Sequence, residues 1–499
     1  MRCYMTKKSF FYLVTILFIL SGCSNFQTPF KNDPTHEAIP IIQEIFTPKA
    51  KEPIQLSYTV SIKDPSKRIL HINLQIDGDL NDSTVLTFWT NAANWSSWYN
   101  PKDYVSNISI LDDSGQSINY EWGEDGIDWT GEHGLNLVTK GKSHITLDYD
   151  VIIGIKDPDY ENQFMGGYLN QDLGYGEPEF IFLAPADIEN QAYAMTVHFD
   201  FPEDWHSVAH WKSIGENTYK VSTKITEGGY SSIEFANGAI AFGKSLLSYE
   251  RNIGGTNVKV GTLGFTDQES NELSEKIFGI YDYYTKMLGP TPEEGYIVIL
   301  TPEKIDGYSI NPQNENIGGF FSRTNNWDLW WINFTHPIFH NWTAYLYGDF
   351  WYGEGFTSYY ELKSAKMLDI YDDEKIAQEF QSRWSRYNNE IFETDMDISL
   401  KQASDIYETS DHGDPYSFLT YKKGSMFALY LDQQIFQLSE GKFSLDDVMH
   451  YLWENDLHVD PDNLKLAIQK ATGLDFTNQI NDYLLGTKPM EFENFIIPE

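Results

Sequence analysis

Beyond its N-terminal segment, the chain begins with short stretches in which apolar and polar side chains alternate. Alternation with a period of two places every second side chain on the same face of a β-strand. Glycine, asparagine and aspartate separate the stretches, as is typical of turns between strands. We therefore predict an antiparallel β domain over residues 49–243. The clearest alternating positions are Leu70, Ile72, Leu74 and Ile76; Ile145, Leu147, Tyr149, Val151 and Ile153; and Tyr193, Met195, Val197, Phe199 and Phe201.

At Thr266 the pattern changes to the period of a helix. Thr266 and Glu269 have the spacing of a capping box, in which each side chain accepts a hydrogen bond from the other residue's backbone N–H. Apolar residues then recur on one stripe until Gly289-Pro290, which ends the helix. Residues 296–300 form a short apolar run that predicts a buried strand. Together these elements predict an α/β region over residues 244–370.

The remainder of the chain, residues 371–499, has a helical pattern almost throughout. Ser444 and Asp447 form a second capping box. The predicted helices begin after Asp372-Asp373 and then span residues 421–436, 445–453, 464–471 and 477–485. The predicted fold class is multidomain α+β, with an N-terminal antiparallel β domain, an α/β half and a C-terminal helical half.

The first 22 residues have the features of a secretory signal. Lys7 and Lys8 precede an apolar run over residues 10–20, which is too short to span a bilayer stably. The sequence Leu-Ser-Gly-Cys that ends at Cys23 resembles the bacterial lipoprotein signal. The resemblance implies cleavage before Cys23, lipidation of its thiol and a tether over residues 23–48. We expect an extracytoplasmic bacterial lipoprotein anchored to a membrane by this lipid.

Charge and cysteine content narrow the possible functions. The sequence has 35 lysine and arginine residues against 73 aspartate and glutamate residues, a formal net charge of −38. Because such a surface repels phosphate backbones, we exclude nucleic-acid binding. The only cysteine besides Cys23 is Cys3, inside the signal. The mature chain can therefore form no internal disulfide, and it must bind any metal through histidine and carboxylate side chains.

Candidate chemistry is concentrated between residues 335 and 361. His336 and His340 are four residues apart, so on a helix their imidazoles share a face and can bind one ion. This is the histidine spacing of the HExxH zinc motif, whose glutamate activates a metal-bound water. Pro337 occupies the position of that glutamate. Catalytic zinc needs a third protein ligand and one open position.

A resemblance supplies the third ligand. The segment DFWYGEGFTSYY, residues 349–360, resembles the third-ligand helix of gluzincin metallopeptidases. The glycyl aminopeptidase family is the most similar, and the aminopeptidase N family is more distant. The resemblance implies a Zn²⁺ ion bound by His336, His340 and Glu354. It also implies that the α/β half is thermolysin-like and that, with the helical half, it forms a peptidase domain.

Two further motifs, one at Tyr421 and one at Gly318 and Gly319, correspond to the same family pattern. Tyr421, in a Tyr-x-Lys-Gly sequence, corresponds to the tyrosine that stabilises the oxyanion of the tetrahedral intermediate. Gly318 and Gly319 correspond to the substrate-edge motif. In this chain that motif lacks the glutamate that binds a substrate's free amino group. We also expect no PDZ domain after the helical half.

The zinc-type helix itself departs from the family pattern. Pro337 cannot accept a proton, and proline fits best in the first turn of a helix. We therefore expect Thr335 to be the N-cap, so that the helix begins late and His336 is displaced relative to His340. The connection between His340 and Glu354 is shorter than in the aminopeptidase N pattern. We expect the shortening to fall in the loop.

Three functions remain open. The first is a degenerate peptidase, non-proteolytic or weakly active, that binds a peptide or protein ligand. The second is an active zinc peptidase with an unconventional general base, although we expect structural roles for the nearby carboxylates Asp349 and Glu361. The third is a scaffold or glycan-binding lipoprotein in which the β domain binds the ligand, with Trp95 and Trp98 as a stacking surface. Against this alternative, we expect the two tryptophans to be packing residues. The sequence indicates no oligomeric state.

Overall fold

The structure is a computed structural model of the chain. The described residues are 52–88, 101–123, 134–156, 161, 163–186, 192–222, 224–226, 229–231, 238–291, 295–301, 304–306, 309–311, 318–322, 327–343, 348–390, 397–409 and 417–498. The chain divides into two compact units, residues 1–50 and 51–499, and every described residue belongs to the second. The signal, Cys23, Trp95 and Trp98 lie outside the described residues, so the predictions made for them stay predictions.

The first part of the described chain consists almost entirely of strands. In chain order they are β1 (Ile54–Asp64), β2 (Ile69–Asp77), β3 (Ser83–Phe88), β4 (Val105–Asp112), β5 (Tyr120–Trp122), β6 (Leu135–Val138), β7 (His144–Ile152), β8 (Ile155–Lys156), β9 (Gln163–Met165), β10 (Gly167–Leu169), β11 (Leu173–Gly176), β12 (Leu183–Pro185), β13 (Tyr193–Phe199), β14 (His206–Ala209), β15 (Lys212–Gly215), β16 (Thr218–Ser222), β17 (Lys224–Thr226), β18 (Gly229–Ser231) and β19 (Ile240–Gly243). Single 3₁₀ turns lie at Pro65–Lys67, Pro101–Asp103 and Pro178–Phe180.

The largest sheet has seven strands in the order β15-β16-β13-β1-β2-β7-β4. Its inward side chains are the apolar residues of the alternating stretches. On β2 these are Leu70, Ile72, Leu74 and Ile76, and all four are fully buried. The predicted strands are thus confirmed. Neighbouring strands pair antiparallel, with the exception of β1 and β13, which pair in parallel. Alternation fixes which face of a strand is buried but not the direction of its neighbour.

Smaller sheets complete the N-terminal region. Two have four strands, in the orders β12-β3-β6-β5 and β10-β11-β19-β14. Strands β17 and β18 form a hairpin. An apolar cluster joins the large sheet to the first of the small ones, so that Tyr58 on β1 donates a hydrogen bond to the carbonyl of Leu183 on β12.

The α/β region begins with a four-stranded mixed sheet. Its strands are β20 (Leu246–Ile253), β21 (Thr256–Leu263), β22 (Gly295–Thr301) and β24 (Gly318–Ser322), and a short strand, β23 (Ser309–Asn311), pairs instead with β9. Strands β21, β22 and β24 are parallel to one another. The predicted capping box of Thr266 and Glu269 is present at the helix that connects β21 to β22.

Helices make up most of the rest. They are α1 (Asp267–Leu288), α2 (Trp327–Thr343), α3 (Phe350–Met367), α4 (Asp373–Glu390), α5 (Leu400–Thr409), α6 (Ser417–Leu438), α7 (Leu445–Glu454), α8 (Pro461–Thr472) and α9 (Thr477–Gln479), the last continuing as a π-helix over Ile480–Leu484. The helices predicted from the sequence are all present, and Ser444 caps α7 together with Asp447. No helix in the described part of the chain combines the length and apolarity needed to cross a bilayer.

Helix α3 lies at the centre of this region and is buried along most of its length. It packs between α2 and α6. The buried Lys363 on α3 forms an ion pair with the buried Asp432 on α6 at 2.9 Å and another with the partly exposed Asp446 on α7 at 2.7 Å. Because breaking a buried ion pair leaves an uncompensated charge in the interior, these contacts fix α3 against its neighbours. The boundaries assigned to the domains from the sequence stay predictions.

Candidate metal centre

Helix α2 carries both predicted histidine ligands. The rings of His336 and His340 lie on the same side of the helix, with their centroids 4.6 Å apart. Both are largely buried, with 19% and 21% of their side-chain surface exposed. The four-residue spacing therefore brings the two imidazoles together as the sequence predicted.

The predicted start of this helix is wrong. Helix α2 begins at Trp327, so Thr335 is an interior residue and its hydroxyl donates to the carbonyl of Trp331 at 2.9 Å. Pro337 is also interior and is buried. The helix tolerates proline because its apolar side packs in the core; Trp331, Phe334, Ile338, Phe339 and Trp342 are all buried there. Tertiary packing of this kind supplies most of the stability of a helix in a protein.

Pro337 changes the local hydrogen bonding without separating the histidines. Proline has no N–H, so the carbonyl of Asn333 loses its helical donor. After Pro337 in the helix, the side-chain amide of Asn341 donates to the carbonyl of Ile338 at 2.9 Å. His336 and His340 remain on one continuous helix, which removes the reason to expect a displacement between them.

Helix α3 brings Glu354 to the histidines. Its Oε2 atom lies 3.1 Å from Nε2 of His336 and 3.7 Å from Nε2 of His340. One ligand atom from each of the three residues lies within 4.8 Å of the other two. The short connection between His340 and Glu354 therefore still allows the third carboxylate to reach the histidines.

These distances fit a tetrahedral zinc ion. Zinc binds histidine nitrogen and carboxylate oxygen at about 2.0–2.2 Å, so two ligand atoms on one ion lie about 3.3–3.5 Å apart. The observed separations of 3.1 and 3.7 Å lie on either side of that value. Two imidazoles and a carboxylate are also a donor set that zinc accepts, with its fourth position left open. His336, His340 and Glu354 thus form a possible metal site.

Helices α3 and α6 approach each other closely at a pair of glycines near Glu354 and Tyr421. A Cβ added to Gly355 on α3 would lie 2.6 Å from the Cα of Gly424 on α6. A Cβ on Gly424 would lie 2.8 Å from the Cα of Gly355. Only glycine permits this contact. The crossing point lies one residue after Glu354 on α3 and three residues after Tyr421 on α6, so these two residues belong to the segments that meet there.

Tyr421 lies against the metal centre. Its ring is stacked on that of His336, with the centroids 6.1 Å apart and an interplanar angle of 19°. Two residues after Tyr421, the buried Lys423 fixes α6 in place. Its ammonium group donates to Asp397 and to the carbonyl of Ile398, each at 2.8 Å. Tyr421 therefore lies beside the possible metal site, and its role as an oxyanion-stabilising tyrosine stays a prediction.

A second carboxylate orients His336. Nδ1 of His336 forms a short hydrogen bond with Oε1 of Glu361. The other oxygen of Glu361 accepts from Nη2 of Arg383 on α4 at 2.9 Å. With Nδ1–H donating to Glu361, Nε2 is the atom left to face Glu354 and a metal. For His340, Nδ1 lies 3.1 Å from the hydroxyl of Thr343.

The pKa values describe a strongly coupled charge cluster. Burial alone would lower the pKa of His336, but its hydrogen bonds to Glu354 and Glu361 and the charges of both carboxylates raise it to about 10. Burial would raise the pKa of Glu354, but its contacts with His336 and His340 hold that pKa well below its usual range. The cluster thus places buried negative charge where a divalent cation would bind.

The two glycines predicted at the substrate edge lie on strand β24. Gly318 and Gly319 pair in parallel with Ile297 and Val298 on β22, and β24 is the outermost strand of its sheet among the described strands. Helix α2 contacts this strand. The substrate-edge role of the two glycines stays a prediction.

Sequence reasoning missed the orienting role of Glu361 and missed Arg383 altogether. Glu361 follows Glu354 by seven residues, two helical turns, so the spacing could have placed both carboxylates on one face of α3. Arg383 lies on another helix, and no local pattern identifies it. Its role became visible only from the contacts between α3 and α4.

The comparisons with known proteins agree with this architecture. Residues 57–226 match the Peptidase M61 N-terminal domain. The structure of an aminopeptidase N family protein from Idiomarina loihiensis is similar, with 15% sequence identity, 87% of this chain and 77% of that chain covered, and a TM-score of 0.62. A variant of an M1 zinc metallopeptidase from Deinococcus radiodurans, bound to a Tyr-Ser-Ala substrate, has 13% identity, coverage of 90% and 96%, and a TM-score of 0.49. No curated protein matches the chain.

At this level of identity, the likeness to the Idiomarina structure concerns the fold. It confirms the predicted fold class, an N-terminal, mainly antiparallel sheet region followed by a helical C-terminal region. The matched domain adds an independent likeness over the first of these regions. Together they support a gluzincin-like, peptidase-like protein.

Proposed function

We propose that this protein binds a zinc ion through His336, His340 and Glu354 and uses the site to bind peptide or unfolded protein, with little or no hydrolysis. The observation that carries the proposal is the contrast within α2. Two ligands lie on the helix and the third is within reach, whereas Pro337 stands where a zinc peptidase has its general base. The ligand set is complete, and the proton acceptor is missing.

Zinc bound to these residues would supply a Lewis acid able to polarise a peptide carbonyl. Glu361 would hold the ring of His336 with Nε2 directed at the ion. Tyr421, whose ring is stacked on the imidazole of His336, would bound the space beside the ion. By resemblance its hydroxyl would contact the oxygen of a bound carbonyl. These groups bind and orient a peptide without requiring proton transfer.

Hydrolysis needs a group that removes a proton from water, and the described residues around the ligands do not provide one. Loss of a general base typically lowers the rate by about 10²- to 10⁴-fold. Glu361 cannot replace it while one oxygen is bound to His336 and the other to Arg383. Asp349 accepts from the indole N–H of Trp351 at 2.8 Å. These structural contacts favour the degenerate peptidase over the active enzyme with an unconventional base.

Ligand recognition should not require a free amino terminus. The sequence of β24, Gly-Gly-Phe-Phe-Ser, contains no carboxylate that could pair with an ammonium group. We therefore propose that internal peptide segments bind as well as peptide ends do. Lipidation at Cys23 would hold this binding protein at a membrane outside the cytoplasm.

The proposal can be tested with a mixture of fluorescently labelled decapeptides, half of them acetylated at the amino terminus. Binding is followed by fluorescence anisotropy with zinc and with a chelator, and cleavage by mass spectrometry. We expect saturable, zinc-dependent binding of both peptide classes, loss of binding in a His336→Ala, His340→Ala variant, and almost no cleavage. Rapid cleavage by the zinc-loaded protein would favour the active peptidase. Binding that survives in the variant would favour the scaffold or glycan-binding alternative.

A further inference from the structure

Glu361 contacts a buried cation that has no part in the proposed zinc and peptide binding described above. Arg383 is buried, with 6% of its surface exposed. It extends from α4 to α3, where Nη1 donates to the carbonyl of Ser358 at 2.6 Å and Nη2 donates to Oε2 of Glu361 at 2.9 Å. We infer that Arg383 is a positioning residue for the metal centre, acting through Glu361 on His336; this inference rests on the proposed zinc site.

The guanidinium fixes the carboxylate in one orientation. A carboxylate held by a single hydrogen bond can rotate about its terminal torsion, which has broad preferences. Arg383 binds one oxygen of Glu361 and is itself fixed by the carbonyl of Ser358, so the other oxygen is directed at Nδ1 of His336. The planar fork of arginine makes this pair of contacts possible, whereas a lysine ammonium lacks that rigid geometry.

The same side chain also fixes the helix that carries the third ligand. Ser358 follows Glu354 by four residues, one turn along α3. Arg383 thus restrains the backbone of α3 next to Glu354 and, through Glu361, the imidazole of His336 on α2. One guanidinium therefore couples the positions of two ligands that come from different helices.

Two effects of Arg383 on zinc binding oppose each other. Its positive charge would repel a cation, but the negative charge of Glu361 lies between it and His336 and compensates it. Its hydrogen bonds orient Glu361, which in turn orients His336, a proposed zinc ligand. Loss of such a contact in metal sites typically weakens binding about 10- to 100-fold. Because the charges of the pair largely cancel at the metal, we expect the orienting effect to dominate.

The test compares the zinc affinity of Arg383→Met with that of Arg386→Met, measured on the full chain by competition with a chelating dye. Arg386 is the matched control, since it lies three residues later on the same helix and is exposed. Arg383→Met should bind zinc about 10- to 100-fold more weakly, and Arg386→Met should match the wild type. The visible absorption spectrum of bound Co²⁺ provides a second readout, because it reports the ligand geometry directly. It should change only in the Arg383 variant.

Further variants separate positioning from folding. Arg383→Lys keeps the charge and should restore part of the affinity. Arg383→Met combined with Glu361→Gln leaves no unpaired buried charge. Its loss of zinc affinity should be clearly smaller than the sum of the two single losses, because both substitutions interrupt the contact through Glu361 and only the restraint at Ser358 is lost in addition. Additive losses in the double variant, or unchanged zinc affinity in Arg383→Met, would overturn the inference. A wild-type protein that binds no zinc would instead refute the proposed function.

Discussion

Pro337 affects both the stability and the chemistry of the metal-binding helix. As an interior proline it leaves the carbonyl of Asn333 without its helical donor. As the residue after His336 it also occupies the position from which a glutamate would reach a metal-bound water. The two effects can be separated by substitution, because alanine restores only the N–H and glutamate restores both the N–H and a carboxylate.

Pro337→Ala should stabilise the protein. Proline costs about 3 kcal/mol relative to alanine in a helix interior, and loss of the buried ring contacts offsets part of that gain. We expect the free energy of unfolding to rise by about 1–2 kcal/mol, measured by urea denaturation. A decrease would mean that packing of the proline ring outweighs the missing hydrogen bond.

Pro337→Glu should convert the zinc-loaded protein into a measurable peptidase. Supplying a general base contributes about 10²- to 10⁴-fold in rate, so cleavage of the decapeptide mixture should increase by a factor in that range. Pro337→Ala is the control and should show no increase. If Pro337→Glu binds zinc and still does not cleave, the site lacks more than a proton acceptor.

At the scale of single residues, the sequence predicted the ligands but not the groups that orient them. His336 and His340 follow from helical spacing, and Glu354 and Tyr421 from the family resemblance. Arg383 acts across an interface between two helices that no sequence pattern specifies. That Pro337 takes the place of a general base stays a prediction. Its expected position in the first helical turn is wrong, because the local preference for a first turn yielded to the burial of α2.

Two helices determine the geometry of the centre, and they meet at glycines. Gly355 on α3 and Gly424 on α6 are in backbone contact, which explains why a glycine follows Glu354 and why another follows Tyr421 by three residues. The sequence contained both glycines within the motifs, but their mutual contact depends on the packing of segments about seventy residues apart in the chain. Such a contact becomes apparent only in the folded structure.

Gly355→Ala should destabilise the protein and weaken zinc binding together. The added methyl group would lie 2.6 Å from Gly424 and force α3 and α6 apart, at a cost of about 1–3 kcal/mol. Gly353→Ala is the matched control, because a Cβ there meets nothing within 4 Å. It should stabilise α3 by about 0.5–1 kcal/mol. Urea denaturation and the chelator competition measure both quantities, and equal effects of the two substitutions would contradict the tight crossing.

Across the whole molecule, the two periodicities in the sequence correspond to two structural regions. Alternation of period two predicted the strands that the structure has as β2, β7 and β13. Short strands such as β11 and β19 are buried throughout and have no such pattern. The change of period at Thr266 marks the first long helix. The order of strands in the seven-stranded sheet and the parallel pairing of β1 with β13 could not be predicted, since they depend on contacts between residues far apart in sequence. The fold was therefore predictable as a class, but not in its strand topology.

The molecule thus combines a gluzincin-like fold, a compact set of three possible metal ligands and a proline at the position of the HExxH glutamate. Its formal net charge of −38 gives no attraction for nucleic acid. The contacts around Glu354 and Glu361 are consistent with retention of the ion and of a site beside it for a peptide. We therefore propose above all that His336, His340 and Glu354 bind zinc.

Elemental analysis of the purified full chain, loaded with zinc and dialysed, tests that claim most directly. A His336→Ala, His340→Ala variant, prepared in the same way and shown to be folded, is the control. We expect close to one zinc ion per chain in the wild type and almost none in the variant. A wild-type protein without zinc, or equal zinc content in both proteins, would contradict it.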